Sequence, residues 1–193
     1  EFGGIGPYEE QKSGFFALLE ISSGEKLVPN ITIGDNSWGD PSCKRNNYEF
    51  GPHGIHLIER PDGKFQLGVV SHFPNETIEM FEVQKNKESW GMIWRGCVDV
   101  PHEYYFNDIS LTNNGGFFAT HMYSRDITLN EWLVTSLLKR NSGYLVKWKN
   151  NEFFKIEGTE GSGPNGIALD RNSNLLYINY NQGDLITKFD LST

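Results

Sequence analysis

An all-β chain built as a β-propeller is what the 193-residue sequence predicts, on three observations. Aromatic residues make up 13% and there are 21 glycines, a composition suited to short strands and tight turns rather than to helical bundles. The stretch Gly51-Pro52-His53-Gly54-Ile55-His56-Leu57 recurs as Gly163-Pro164-Asn165-Gly166-Ile167-Ala168-Leu169, and a looser copy runs Tyr105-Phe106-Asn107-Asp108-Ile109-Ser110-Leu111. Each copy leads into a turn and then an apolar strand, so one β-hairpin is seen three times.

In chain order, an early strand is expected at Gly14-Phe15-Phe16-Ala17-Leu18-Leu19-Glu20, which resembles Gly143-Tyr144-Leu145-Val146-Lys147-Trp148-Lys149 further on. The first hairpin pairs Gly54 to Arg60 with Phe65 to Ser71 across Pro61-Asp62-Gly63. A third strand, Thr77-Ile78-Glu79-Met80-Phe81-Glu82-Val83, follows with the alternation of a half-buried strand. The second hairpin turns at Asn113-Asn114-Gly115-Gly116 into Phe117 to Met122. One segment then breaks the β pattern. Thr128 and Glu131 have the spacing of a capping box, Leu129, Trp132, Leu133 and Leu137 share one helical face, and Lys139-Arg140 suit the negative C-terminal end. A helix of about three turns is predicted near 129–140, packed on a face of the propeller. The third hairpin turns at Arg171-Asn172-Ser173-Asn174 into Leu175 to Asn179, followed by a strand at Leu185 to Leu191.

The equivalent residues Ile55, Ile109 and Ile167 are 54 and 58 positions apart, near the upper end of propeller blade lengths. Residues 1–193 are expected to form a single partial propeller domain with blade hairpins starting near 53, 107 and 165. That is about three and a half blades where roughly four to eight close a propeller, so the remaining blades are expected from further sequence or a second chain.

Lysine and arginine number 17 against 25 acidic residues, a net charge of −8 that offers no basic patch for a nucleic acid. An acidic balance suits a hard cation. No apolar run approaches the length of a transmembrane span, and Glu1-Phe2-Gly3-Gly4 has neither a basic nor an apolar leader pattern. Cys43 and Cys97 lack C-x-x-C partners, which excludes a zinc site or thioredoxin-like motif and leaves a single disulfide open. Asn30-Ile31-Thr32 and Asn75-Glu76-Thr77 are N-glycosylation sequons, which fit a secreted or extracytoplasmic protein.

The repeat carries the chemistry. Each hairpin puts a polar residue, His53, Asn107 or Asn165, directly before the step into its first strand, and in a propeller those positions converge on the axis. Amide oxygens with a few carboxylates suit calcium, which takes six to eight hard oxygen ligands, and Asp108 is the charged partner at hand. Asn is also a residue that tolerates turn dihedrals at a strand start, so both readings stand. His53 and His72 belong to the two strands of one hairpin and are candidates to deprotonate a water near a metal-polarised carbonyl. Gly161-Ser162-Gly163-Pro164-Asn165-Gly166 has the G-x-G-x-x-G pattern but leads into a strand and lacks a βαβ context, so a dinucleotide site is rejected. No G-x-S-x-G, H-E-x-x-H, P-loop or EF-hand pattern is present.

On these residues the chain resembles the calcium-dependent six-bladed propeller superfamily of the paraoxonases and the senescence marker protein/gluconolactonase group. Gly51-Pro52-His53-Gly54-Ile55, Val69-Val70-Ser71-His72 with Glu79-Met80-Phe81, Phe106-Asn107-Asp108-Ile109 and Pro164-Asn165-Gly166-Ile167 with Leu176-Tyr177-Ile178 follow the family's order. The resemblance implies a catalytic Ca2+ held by Asn107 and Asn165, and a second, structural calcium held by Asp108 and the main-chain oxygen of Ile55. It also implies that His53 and His72 activate water, that the helix covers the active site, and that the substrate is a small-molecule lactone or (aryl) ester. The family's acidic calcium ligands from other blades have no counterpart in the sequence. The alternatives are a non-catalytic propeller binding module with structural calcium only and, more remotely, a carbon–carbon bond-forming propeller like strictosidine synthase.

Overall fold

A computed structural model describes residues 12–45, 47, 49–85, 89–170 and 172–192; Glu1 to Gly4 and Arg171 of the third turn lie outside the described residues. The chain divides into two compact units, Gln11–Asp99 and one that includes Val100–Thr193.

The first unit opens with β1 (Leu18–Leu19), β2 (Lys26–Leu27) and β3 (Asn30–Ile33) and continues with β4 (Pro52–Glu59), β5 (Phe65–Ser71), β6 (Thr77–Lys85) and β7 (Trp90–Asp99). Strands β4 to β7 form an antiparallel meander, and β3 adds to β7 in parallel, giving the order β3-β7-β6-β5-β4. The early strand expected at Gly14–Glu20 shrinks to Leu18–Leu19, paired only with Lys26–Leu27. The rest of that apolar run serves packing instead, with Phe16 edge-on against Phe81 and tilted against Phe50. The core gathers Cys43, Phe50, Val69, Phe81, Met92, Trp94 and Cys97, and Cys43 and Cys97 form the disulfide that the cysteine count left open.

Strand β6 is buried on both faces, which places the Glu79 carboxylate in the interior with no exposure. It is compensated on every side: Arg45 Nε donates at 2.9 Å, Thr77 Oγ1 at 2.6 Å and Trp94 Nε1 at 2.7 Å. Removing Arg45 would leave this buried carboxylate without its counter-charge.

The second unit contains β8 (Phe106–Leu111), β9 (Phe117–His121), helix α1 (Leu129–Leu137), β10 (Tyr144–Lys149), β11 (Glu152–Lys155), β12 (Pro164–Asp170), β13 (Leu175–Tyr180) and β14 (Leu185–Asp190). Two antiparallel sheets result, β11-β10-β9-β8 and β12-β13-β14. The stretch Gly143–Lys149 is thus the third strand of the second hairpin's sheet, and α1 is an insertion between its second and third strands. Phe118, Leu145, Leu176, Ile178 and Tyr180 form the core cluster of these sheets. The architecture is all-β with one short helix, consistent with a β-propeller-like fold.

Helix α1 starts as the sequence dictates: the Thr128 and Glu131 side chains each accept from the other's backbone N–H. Its end comes earlier than 140. Lys139 takes a left-handed φ of 50°, its N–H bonds to Ser136 O, and Arg140 N–H reaches back to Thr135 O, the two bonds that close a helix C-terminus. Lys139 and Arg140 therefore lie beyond the last turn, and the Lys139 ammonium pairs with Asp184. The apolar stripe packs only at Trp132. No residue of α1 is buried; Trp132 leans on the Tyr105, Met122 and Tyr123 cluster, while Leu129, Leu133 and Leu137 are exposed. Among the described residues no helix is long and apolar enough to cross a membrane.

Candidate functional site

The three repeated hairpins carry the same irregularity at the same place. In β4–β5 the register runs Pro52↔Ser71 then Ile55↔Val69; in β8–β9, Phe106↔His121 then Ile109↔Ala119; in β12–β13, Pro164↔Tyr180 then Ile167↔Ile178. In each, two residues oppose one: His53-Gly54 against Val70, Asn107-Asp108 against Thr120, and Asn165-Gly166 against Asn179. A β-bulge of this kind re-aims side chains at a strand's end and leaves backbone groups out of the ladder. The polar residues singled out in the sequence are the bulge residues.

In the first unit the bulge brings the two histidines together, with His53 Nδ1 2.9 Å from His72 Nε2. His72 Nδ1 lies 2.7 Å from Glu76 Oε2, so three side chains form a line. The turn explains the second link. Ser71 pairs with Thr77, and His72 and Glu76 are the next residues on its two arms. Ser71 Oγ, which accepts from Gly51 N–H, donates to Phe73 O at 3.0 Å and fixes the start of the turn. His53 is exposed in part, and the crowding of protein around its ring, followed by the nearby His72, lowers its pKa from 6.5 to about 4. Glu76 was not singled out in the sequence; the signal was the placement of His72 and Glu76 at equal distance on either side of Pro74.

In the second unit the bulges are stitched to one another. Asp108 Oδ1 accepts from Ile109 N–H at 2.9 Å, and Oδ2 accepts from Ile167 N–H at 3.0 Å, across to the next hairpin. Thr120 Oγ1 accepts from Asp108 N–H at 3.1 Å and donates to the main-chain oxygen of Asn165 at 2.5 Å. Asn107 is 8% exposed, with its amide nitrogen 3.5 Å from Met122 Sδ. Burial raises the Asp108 pKa, and the two N–H bonds only partly oppose it. Asn107, Asp108 and Asn165 therefore share one neighbourhood, and Thr120, unmarked in the sequence, is what joins them.

Ile55 is in β4 of the first unit, paired with Val69 and exposed on the sheet edge. Among the described residues no three His, Cys, Asp or Glu side chains gather as a metal cluster. A cation in the second unit would thus rely on amide oxygens with the single Asp108 carboxylate. These are hard oxygens of the type calcium takes, so the donors fit that ion in kind.

Of the remaining histidines, His102 is exposed and 3.7 Å from Asp126. His121 is buried, accepts from Tyr105 N–H at 3.1 Å and sits between Tyr104 and Tyr144, and burial lowers its pKa to about 4.

A comparison with curated proteins finds no match. A family model described as arylesterase matches residues 1–189, nearly the whole chain. This match supports an ester hydrolase and agrees with the paraoxonase-like resemblance of the motifs: the chain belongs to the arylesterase family.

Proposed function

We propose that the protein is a calcium-dependent hydrolase of aryl esters or lactones in which the His53–His72 pair activates the attacking water. The observation that carries this reading is the 2.9 Å contact between His53 Nδ1 and His72 Nε2 on a bulge of the repeated hairpin, in a chain of the arylesterase family. His53 takes a proton from water as the water oxygen adds to the carbonyl carbon. The C–O bond to the alcohol or phenol then breaks, and the proton returns to the leaving oxygen. A neutral imidazole accepts that proton, and an imidazolium does not.

Asn107 and Asn165, with the Asp108 carboxylate beside them, are the residues that would hold a Ca2+ ion. Such an ion, when bound, would polarise a carbonyl oxygen. In the same reading each repeated hairpin is part of a propeller blade. A secreted location also belongs to it, supported by the disulfide, which persists in oxidising compartments, and by the exposure of the sequon residues Asn30 and Asn75.

One observation favours a second reading, a non-catalytic binding module with structural calcium only. The Asp108 carboxylate and Thr120 hydroxyl are already engaged in tying two hairpins together. Initial rates on phenyl acetate and on a δ-lactone, each in excess calcium and in excess chelator, separate the two. Hydrolysis that chelation abolishes supports the enzyme; no hydrolysis of either ester in calcium overturns it in favour of the module.

A further inference from the structure

We infer that Glu76 is a positioning residue that sets the tautomers of His72 and His53, and so decides which nitrogen of His53 acts as the base. The inference deepens the hydrolase reading and rests on it for its catalytic meaning. Its structural content stands on the line Glu76–His72–His53.

A carboxylate has only acceptors. With Glu76 Oε2 2.7 Å from His72 Nδ1, the proton of that contact is on His72 Nδ1. With only that proton on the ring, His72 has its lone pair on Nε2. That lone pair faces His53 Nδ1 at 2.9 Å, so His53 carries its proton on Nδ1 and donates it to His72. The lone pair of His53 is left on Nε2, the nitrogen turned away from the pair. A histidine side chain in water favours the opposite form, with the proton on Nε2, so the line imposes on both rings the tautomer they would not choose. When His53 Nε2 accepts a proton from water, the new positive charge shares the hydrogen-bonded line with the Glu76 carboxylate.

The surroundings keep Glu76 in place for this. Its residue is 7% exposed, and it follows a turn held at Phe73 O by Ser71 Oγ. Arg45 Nη2 approaches both Phe73 O and Thr77 Oγ1 at 3.5 Å, bracketing the segment between them. Arg45 is itself fixed by Glu79 and lies two residues beyond the disulfide at Cys43. The turn is thus anchored to the core rather than free to swing away from His72.

Nitrogen-15 NMR of the imidazole side chains tests the assignment without reference to activity. In the unaltered protein both rings are expected to show Nδ1–H with an unprotonated Nε2. In Glu76→Met, which keeps the side-chain volume and removes the acceptor, both rings are expected to flip to Nε2–H. The kcat for phenyl acetate should then fall about 100-fold or more, as for other bases held in the wrong tautomer, with KM within about two-fold. Glu76→Gln keeps an acceptor oxygen and should retain the tautomers and recover part of kcat. An unaltered protein with Nε2–H on His53, or Glu76→Met spectra identical to those of the unaltered protein, overturns the inference. Tautomers as stated in a protein that hydrolyses neither ester sustain the Glu76 assignment and count against the hydrolase reading.

Discussion

The bulge of the β4–β5 hairpin and the bulges of β8–β9 and β12–β13 share one backbone irregularity and hold different chemistry. In the first, His53 precedes a glycine, and its ring reaches a partner within its own hairpin. In the second, Asp108 stands where the other two copies have Gly54 and Gly166, and its carboxylate reaches out to the N–H of Ile167 in the next hairpin. A bulge leaves the groups around it short of ladder partners, and the residue in its second position decides how they are satisfied. Before Gly54, His53 stays exposed, whereas with aspartate the second bulge becomes a cross-link. The difference teaches that repetition of a backbone device does not repeat its chemistry, and that a single side chain at position 108 turns a bulge into a link between two hairpins.

The comparison can be broken hardest at His53. His53→Gln keeps the bulge and removes the proposed base, and the kcat for phenyl acetate is expected to fall roughly 100- to 10,000-fold with the melting temperature nearly unchanged. Steady-state kinetics beside a thermal melt checks this.

Reduction of Cys43–Cys97 sharpens the contrast between the units, since the sequence has only these two cysteines. The pair closes a separation of 54 residues, for which the chain-entropy relation gives about 4 kcal/mol of stabilisation. Amide exchange in β6 and β7 is expected to accelerate on reduction, measured by mass spectrometry.

An acid titration reads out the second unit through His121. Its folded pKa of about 4 lies below the ordinary 6.5, because burial disfavours the charged ring. The unfolded chain therefore binds the proton first, and stability present above pH 6.5 is lost as pH falls toward 4, by on the order of 3 kcal/mol. His121→Asn retains an acceptor for Tyr105 N–H and is expected to flatten the dependence of melting temperature on pH over that window.

Asp108→Gly gives the second bulge the second-position residue of the other two. Loss of an acceptor for the Ile109 and Ile167 N–H groups is expected to cost about 1–3 kcal/mol, seen as a lower melting temperature. Stabilisation by added calcium should shrink in the same variant.

The hairpins were legible in the sequence because their signals are local: alternating apolar residues, and turn triplets such as Pro61-Asp62-Gly63. His53 and His72 were legible as a pair because they belong to one hairpin. Glu76 was not, because it meets His72 through the path of a turn rather than a strand periodicity. Thr120 was hidden for a different reason: its partner, Asn165, is 45 positions away on another hairpin. The run Gly14–Glu20 has the composition of a strand, yet strand pairing needs a partner edge, and only Leu18–Leu19 find one. The capping box of α1 could be read from four residues, whereas the exposure of Leu133 and Leu137 depends on what the helix lies against.

The most direct test is the rate of phenyl acetate hydrolysis by the unaltered protein, His53→Gln and Asn165→Ala, each in saturating calcium and in chelator. Expected is hydrolysis by the unaltered protein that chelation abolishes, with both variants folded and slow in either condition. Hydrolysis that is indifferent to calcium, and undiminished in either variant, would contradict the assignment of base and cation chemistry to these bulges.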